Sequence, residues 1–199
     1  MTPLNEQAYN YLQKLIMENH FSYQEVYSET KLSKELGISR TPLRDAVHRL
    51  AQEGYIDIIP SKGFMLHQMN RKDVNETFQV RSALETYCTV QISKASSTRK
   101  AKKLFKELDW IMECMNDIME TTHSIKEFSE YDFQFHTKII DYLENEQFSN
   151  VFAMFMYRMK RLAELSLAHK GRMEQTYEEH MAILDCMKTV SYTHLTLPT

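Results

Sequence analysis

The stretch Lys31–Leu66, KLSKELGISRTPLRDAVHRLAQEGYIDIIPSKGFML, decides how the chain is read. Gly37 can adopt the positive φ that a sharp helix-to-helix turn needs, so a first helix is expected to stop at Leu36 or Gly37. Ser39 suits the N-cap of a second helix, its hydroxyl accepting an orphan backbone N–H. Pro42 falls in the first turn, where a missing N–H costs little. Leu43, Val47 and Leu50 recur at i, i+4 and i+7 and give this helix a buried stripe. Arg40, Thr41, Arg44 and His48 are left near its N-terminus and on its outer side. Gly54 ends the helix. Tyr55–Ile59 and Gly63–His67 have strand-like composition on either side of Pro60-Ser61-Lys62, which predicts a short hairpin.

The string Leu-(x)3-Leu-Gly-Ile-Ser-Arg-Thr-Pro-Leu-Arg-Asp-Ala-Val-(x)2-Leu-(x)3-Gly-Tyr, from Leu32 to Tyr55, resembles the winged-helix signature of GntR-type bacterial transcription regulators. That resemblance implies that Arg40 and Arg44 meet operator DNA, and Thr41, on the same outward side of the helix, can also reach it. The resemblance implies as well that Gly63, with its neighbours Ser61 and Lys62 on the wing, approaches the minor groove. The physics agrees, since arginine can bond guanine O6 and N7 bidentately and a helix N-terminus favours phosphate. The chain departs from the family in three places before the motif. Asn19 stands where a glycine is usual, Tyr23-Gln24 where a Pro-Gly pair is usual, and Thr30 where an arginine is frequent. These departures touch loop geometry and one phosphate contact.

Outward from this motif, 199 residues with 43% hydrophobic content are enough for two modest domains. The formal net charge of −3 excludes a uniformly basic nucleic-acid binder, so local charge matters. Residues 1–70 carry seven basic against eight acidic side chains, whereas residues 31–62 carry six against four. A positive surface this small predicts modest affinity for one copy and a need for a homodimer. Cys88, Cys114 and Cys186 form no CxxC pair, which excludes a disulfide framework or thiolate zinc site and predicts reduced cysteines. No apolar run of membrane-spanning length and no signal-peptide pattern is present, so the expected place is the cytoplasm.

Three of the four glycines serve the motif, and only Gly171 follows it. A long region that is nearly free of glycine and has helical periodicity predicts an all-α second domain. The expected division is 1–68 for the DNA-binding unit, 69–72 for a linker and 73–190 for the helical domain. An opening helix at about Asn5–Glu18 should pack through Ala8, Tyr11, Leu12, Leu15 and Ile16. After the linker, a helix with Asp73 in its first turn should bury Phe78, Val80, Leu84, Tyr87, Cys88 and Ile92. A second runs from Thr98 to about Glu120, and a third begins at a capping box made by Ser124 and Glu127. Two more are expected at Asn145–His169 and Arg172–Val190. Arg158 and Arg161 should be solvated.

Asp132 and His136 are four residues apart in YDFQFH and project from one face among Phe128, Phe135 and Ile139. His180 poses the same problem in the stripe Met173, Tyr177, His180, Leu184, Met187. A buried carboxylate needs a partner, and the residues alone leave two readings open: hydrogen bonding within the core, or a shared cation. Three O and N ligands of this kind suit a divalent transition metal, zinc or nickel above all.

Two further strings bear on that choice. Arg81-Ser82-Ala83-Leu84-Glu85 resembles the R-x-x-L-E pattern that opens the ligand domain (FCD domain) of the FadR subfamily. The spacing of Asp132 and His136, with Glu179-His180-Met181-Ala182-Ile183 later, resembles the metal site of many such domains. The resemblance implies that Asp132, His136 and His180 hold a metal and that a small carboxylic-acid effector binds through it and Arg81. The family adds another histidine from a final helix. Here the ending SYTHLTLPT, residues 191–199, abandons the helical period and is expected to be a non-native tail after a C-terminal truncation, so His194 is not assigned.

The expected fold is therefore mainly α, a winged helix-turn-helix followed by a helical bundle. The expected function is a DNA-binding transcription regulator controlled by a carboxylate metabolite. A metal-dependent hydrolase with an accessory winged helix is the competing reading, and against it stand the missing HExxH motif and the lack of a glutamate placed as general base. A helical dimerisation domain without ligand is the third.

Overall fold

The computed structural model describes residues 2–189. Chain contacts divide it into two compact units, one ending at Arg71 and the other beginning at Lys72.

The first unit is built from α1 (Leu4–Met17), α2 (Glu29–Glu35), α3 (Arg40–Gln52) and the hairpin β1 (Ile56–Ile59) and β2 (Gly63–Leu66). Leu36 caps α2, Gly37 takes φ +65° to turn the chain, and α3 starts at Arg40. Leu43, Val47 and Leu50 are fully buried, together with Ala46. Ser39 occupies the N-cap with extended backbone, but its side chain makes no capping hydrogen bond, so the expected use of its hydroxyl is not realised. Helix α1 packs on α3 through Ala8, Tyr9, Leu12 and Ile16, while Tyr11 is exposed. The tyrosine that goes inward is the one whose hydroxyl finds a partner. Tyr9 donates to Glu53 at 2.5 Å, and Gln13 donates to the Tyr9 and Tyr55 hydroxyls, at 2.8 Å in each case. Arg49 stacks over the Tyr9 ring at 3.7 Å and bonds both Glu53 and Glu6. A buried phenol needs such a partner, and this decides between two neighbouring positions that hydrophobic periodicity treats alike.

The hairpin pairs Ile56 with Leu66 and Ile59 with Gly63 in antiparallel register. Tyr27 adds an isolated bridge to Phe64, exchanging both backbone bonds, and the Phe21, Tyr27 and Phe64 rings cluster behind it. Where the chain lacks the family's glycines, Asn19 and Gln24 themselves adopt positive φ, 58° and 71°. The loop keeps its left-handed turns at the expense of backbone strain.

The second unit holds α4 (Arg71–Lys94), α5 (Arg99–Glu120), α6 (Ile125–Asp141), α7 (Glu146–Leu167) and α8 (Arg172–Thr189). Three short loops join the last four helices, and each contains a left-handed residue: His123, Glu144 or Gly171. Helices α5, α6 and α8 enclose Leu108, Ile111, Met115, Phe135, Ile139, Leu184 and Met187. Thr98 and Asn145 cap α5 and α7 through their side chains. Ser124 caps α6 by accepting from Glu127 N at 3.3 Å, but the returning half of the expected capping box is absent, because the Glu127 carboxylate accepts from Thr122 instead.

Helix α4 differs most from expectation. Its buried face is polar along much of its length, with Asp73, Thr77, Glu85, Thr89 and Ser93 beside Cys88 and Ile92. Phe78 and Tyr87, expected inside, are 38% and 52% exposed. The inward stripe Thr77, Arg81, Glu85 advances by four residues per step, so it stays on one side of the helix and faces the interior of this unit. Arg158 and Arg161 are half-buried rather than solvated; Arg161 bonds Glu164 at 3.1 Å, and Nε of Arg158 is shielded with no hydrogen-bond partner among the described residues. The segment 190–199, including His194, lies outside the described residues. Among the described residues no helix is long and apolar enough to cross a membrane.

Candidate functional site

Two surfaces carry chemistry, one in each unit. On the first, Arg40, Thr41 and Arg44 line the exposed start of α3, and no ion pair ties Arg40 or Arg44 to another described residue. Arg49 on the same helix is consumed by Glu6 and Glu53 and is structural. Ser61 and Lys62 are exposed at the tip of the hairpin, where Ser61 takes φ +62° and Lys62 N–H bonds the Ile59 carbonyl. Gly63 sits one residue back from the tip. A Cβ built there would lie 2.0 Å from the Tyr27 carbonyl oxygen, so glycine at this position is demanded by the bridge to Tyr27. Arg40 and Arg44 on the N-terminal turn of α3, and Lys62 at the hairpin tip, are exposed cations of the kind that suits phosphate and base edges.

The second surface is buried. Asp132, His136 and His180 are 6%, 3% and 2% exposed, and one ligand atom from each lies within 4.8 Å of the others. Nδ1 of His180 lies 2.7 Å from the Thr176 carbonyl oxygen, which can only accept, so Nδ1 carries the proton and Nε2 presents a lone pair. Nδ1 of His136 lies 3.0 Å from a carboxylate oxygen of Glu85, which turns the Nε2 of that ring the same way. The two Nε2 atoms are 3.0 Å apart, and Asp132 Oδ1 stands 3.2 Å from one and 3.7 Å from the other. Three electron-rich atoms converging in this way attract a cation.

The residues fit a metal. Bonds of about 2.0 to 2.2 Å to one ion place neighbouring donors roughly 3 to 3.4 Å apart, close to the spacings observed. His180 is held from behind by an acceptor, as ligating imidazoles usually are, and a Glu85 carboxylate oxygen stands 3.0 Å behind His136. The charge environment is mixed: it keeps Asp132 ionised and His180 neutral, as ligands must be, but favours a protonated ring at His136. Burial alone would push the Asp132 carboxyl up, but its contacts with His136 and His180 hold it well below the ordinary carboxylate range. Burial and Arg81 would push His136 down, yet Glu85 and Asp132 outweigh them and raise it. His180, with burial dominant, is lowered. Glu85 is buried, but Arg81 and His136 pull its carboxyl down to about 2.

Arg81 reaches this cluster from α4. Its Nε donates to Glu85 at 2.9 Å, and its Nη2 abuts Nε2 of His136. A cleft of about 60 Å³ opens beside Asp132 and His180 and is lined by Thr77, Arg81, Ser166 and Arg172 among others. Arg172 makes a two-pronged pair with Glu179, at 2.9 and 3.1 Å, and bonds Ser166. Sequence reasoning had named Asp132, His136, His180 and Arg81, and the structure brings all four together. It missed the place of Glu85 behind His136, the Thr176 carbonyl behind His180, and the Arg172–Glu179 pair. The first was findable, since Glu85 lies one turn from Arg81; the carbonyl carries no sequence signal.

A winged helix joined to a helical domain with a buried ligand-type cleft defines a two-part DNA-binding regulator. Residues 4–66 match the family described as bacterial regulatory proteins, gntR family, and residues 76–191 match the FCD domain. The chain belongs to the GntR family of transcription regulators, in the group that carries a C-terminal FCD domain. It is 26% identical over 187 residues to the HTH-type transcriptional regulator YdhC of Bacillus subtilis, covering 94% of this chain and 82% of that protein. It is 27% identical over 165 residues to the gluconate operon transcriptional repressor of Bacillus licheniformis, covering 80% of this chain and 63% of the repressor. Among solved structures, Escherichia coli McbR/YncC superposes with a TM-score of 0.68 at 18% identity over 96% of this chain and 89% of that one, a likeness of fold. These relatives are regulators and not enzymes, which removes the hydrolase reading.

Proposed function

We propose that the chain acts in the cytoplasm as a homodimeric regulator that binds a double-stranded DNA operator and is controlled by a small carboxylic acid held at a metal. Arg40, Thr41 and Arg44 would read the major groove, while Ser61 and Lys62 on the wing, with Gly63 shaping it, would approach the minor groove. Asp132, His136 and His180 would hold a divalent transition metal, zinc or nickel, and Arg81 would meet the effector. The DNA-binding unit spans 1–68 and the effector domain 73–190 in this reading, although α4 already begins at Arg71 within the proposed 69–72 linker.

The observation that carries the metal is the convergence of two lone-pair-bearing Nε2 atoms and a carboxylate in a buried site. The His180 ring proton is committed to the Thr176 carbonyl on the far side, and the donor that the core turns towards the gap is Arg81 Nη2, against Nε2 of His136. The bound metal would supply an electrophilic position for one carboxylate oxygen. The protein's own residues do the rest: Glu85 and the Thr176 carbonyl fix the rings, Arg81 pairs with the incoming charge, and the apolar surround excludes water. The exposed Phe78 and Tyr87 on α4, with Val151 and Met154 on α7, offer apolar surface that a second copy would cover. An effector that favours one spacing of the two reading heads shifts operator affinity by its differential binding to those states.

Metal analysis of the purified full chain by mass spectrometry tests the core of this reading. One equivalent of zinc or nickel per chain is expected, lost in Asp132→Ala and in His136→Ala. A metal-free wild-type protein after incubation with either ion contradicts it.

A further inference from the structure

We infer that the outward face of α5 is a second self-association surface, on which the α5 of another copy lies antiparallel about a two-fold axis near Trp110. This surface is distinct from the apolar residues of α4 and α7 assigned above to the homodimer, so its pairing joins one homodimer of that reading to another. It is independent of the metal and effector.

Helix α5 packs on α6 and α8 and buries Ala101, Leu104, Leu108, Ile111 and Met115. Its other side carries one exposed stripe that advances by three or four residues per step. Arg99, Lys103 and Lys106 make its first half, Trp110 its middle, and Glu113, Asp117 and Glu120 its second half. This order opposes the helix dipole, which favours carboxylates at the N-terminus and cations at the C-terminus; no acidic residue stands in the first turn of α5 and no basic one in the last. Nor is the stripe neutralised from within the chain. Arg99, Lys106, Glu113 and Asp117 make no ion pair with another described residue, and Lys103 approaches Glu107 only to 3.7 Å. A charge order that is unfavourable within one helix becomes favourable against a reversed copy of the same helix.

The spacing fixes the register. At about 1.5 Å of rise per residue, Lys103 and Asp117 each stand about 10.5 Å from Trp110 along the helix axis, on opposite sides of it. Lys106 and Glu113 stand about 6 and 4.5 Å away, and Arg99 and Glu120 about 16.5 and 15 Å. Reversing a second copy about Trp110 therefore sets Lys103 opposite Asp117, Lys106 opposite Glu113 and Arg99 opposite Glu120, and the two-fold repeats every pair. Trp110 supplies the apolar centre. It is 54% exposed, with its ring edge-on to Tyr131 at 5.8 Å. A cavity of about 420 Å³ beside it, lined by Ile111, Lys106, Gln134 and Lys138 among others, has room for the indole of the second copy. One aromatic anchor among exposed charges makes a small contact, specified by its charges and weakened by salt, rather than an obligate interface.

The test is sedimentation equilibrium of the full chain at about 0.05 M and about 0.5 M salt, with the emission of Trp110, the chain's single tryptophan, read on the same samples. Wild-type protein is expected as two copies at high salt and four at low salt, its emission moving to the blue as association removes water from the indole. Lys103→Glu alone and Asp117→Lys alone set like charges opposite each other and should weaken the low-salt association at least tenfold. An equimolar mixture of these two variants forms opposite-charge pairs between unlike copies and should recover it, as should the double variant Lys103→Glu/Asp117→Lys. Single variants that associate as the wild type does overturn the pairing. Loss in both single variants without recovery in the mixture overturns the antiparallel register and the inference with it. A wild-type mass indifferent to salt and concentration overturns self-association, and a Trp110 response to poly-glutamate in that case assigns the basic half of the stripe to an acidic partner instead. One copy at high salt and two at low salt, with the same pattern among the variants, supports the α5 pairing while removing the apolar homodimer.

Discussion

At Gly63 a single hydrogen atom stands where a methyl group would meet the Tyr27 carbonyl oxygen at 2.0 Å. Gly63→Ala is expected to destabilise the first unit by about 2 kcal/mol or more, because backbone on both sides must part and the Tyr27–Phe64 bridge is lost. Urea denaturation checks this, and a native-like midpoint would show that the bridge yields easily. Arg44→Ala leaves packing untouched and should cost about 1 to 3 kcal/mol of operator binding. Unchanged specific affinity in a mobility-shift titration would remove Arg44 from the reading face. Cys88 gives a pH-dependent test. Burial and the nearby Glu85 push its thiol up to about 12, whereas Cys114 and Cys186 are only partly buried. Iodoacetamide at pH 8.5 should therefore label Cys114 and Cys186 and spare Cys88. A thiol whose pKa is raised on folding favours the folded state fully below its unfolded value near 9, and that contribution is lost as pH rises towards 12. At this scale the sequence revealed residue types but not partners. Asp132, His136 and His180 stood out because polar groups on apolar stripes require an explanation. Thr77 sits on a stripe with few apolar members, so nothing marked it as buried, and Glu85 was marked only by lying one turn from Arg81.

Elements were legible where period and punctuation agreed. Gly37, Gly54 and the Leu43–Val47–Leu50 stripe bounded α3 closely, and the hairpin followed from β-branched residues around Pro60-Ser61-Lys62. Periodicity failed on α1 and α4 for one reason: it ranks residues by hydrophobicity, while burial there is decided by hydrogen bonding. Tyr9 goes inside because Glu53 and Gln13 meet its hydroxyl, and the polar side of α4 turns inward because charged groups are waiting there. The loop before α2 shows the reverse, a conformation kept although the residue that favours it is missing. Gln24 at φ 71° bears a steric penalty that glycine would not. Gln24→Gly is expected to raise stability by about 1 kcal/mol, less whatever the glycine gains in unfolded-state freedom. A lower melting temperature for this variant would mean that the Gln24 side chain contributes contacts outweighing the strain.

For the whole molecule, the division into a small α/β reader and an all-helical domain was legible because glycine usage and periodicity change after the hairpin. Operator and effector are chemical species outside the chain, so only the shape and charge of their sites are written in it. A metal that binds the folded second unit should stabilise it by mass action, about 2.7 kcal/mol at a free concentration one hundred times the dissociation constant. Chelation should then lower the melting temperature of wild-type protein and leave His136→Ala indifferent, which differential scanning calorimetry can read. The measurement that bears most directly on coupling between the two units is a mobility-shift titration of an operator fragment, first located by footprinting, with metal-loaded protein in the presence and absence of lactate, taken as a representative small carboxylic acid. Wild-type protein is expected to change its operator affinity at least fivefold with lactate, while Asp132→Ala shows no change. An operator affinity identical with and without ligand in the wild type, under conditions where calorimetry shows lactate bound, would contradict the regulator proposed here.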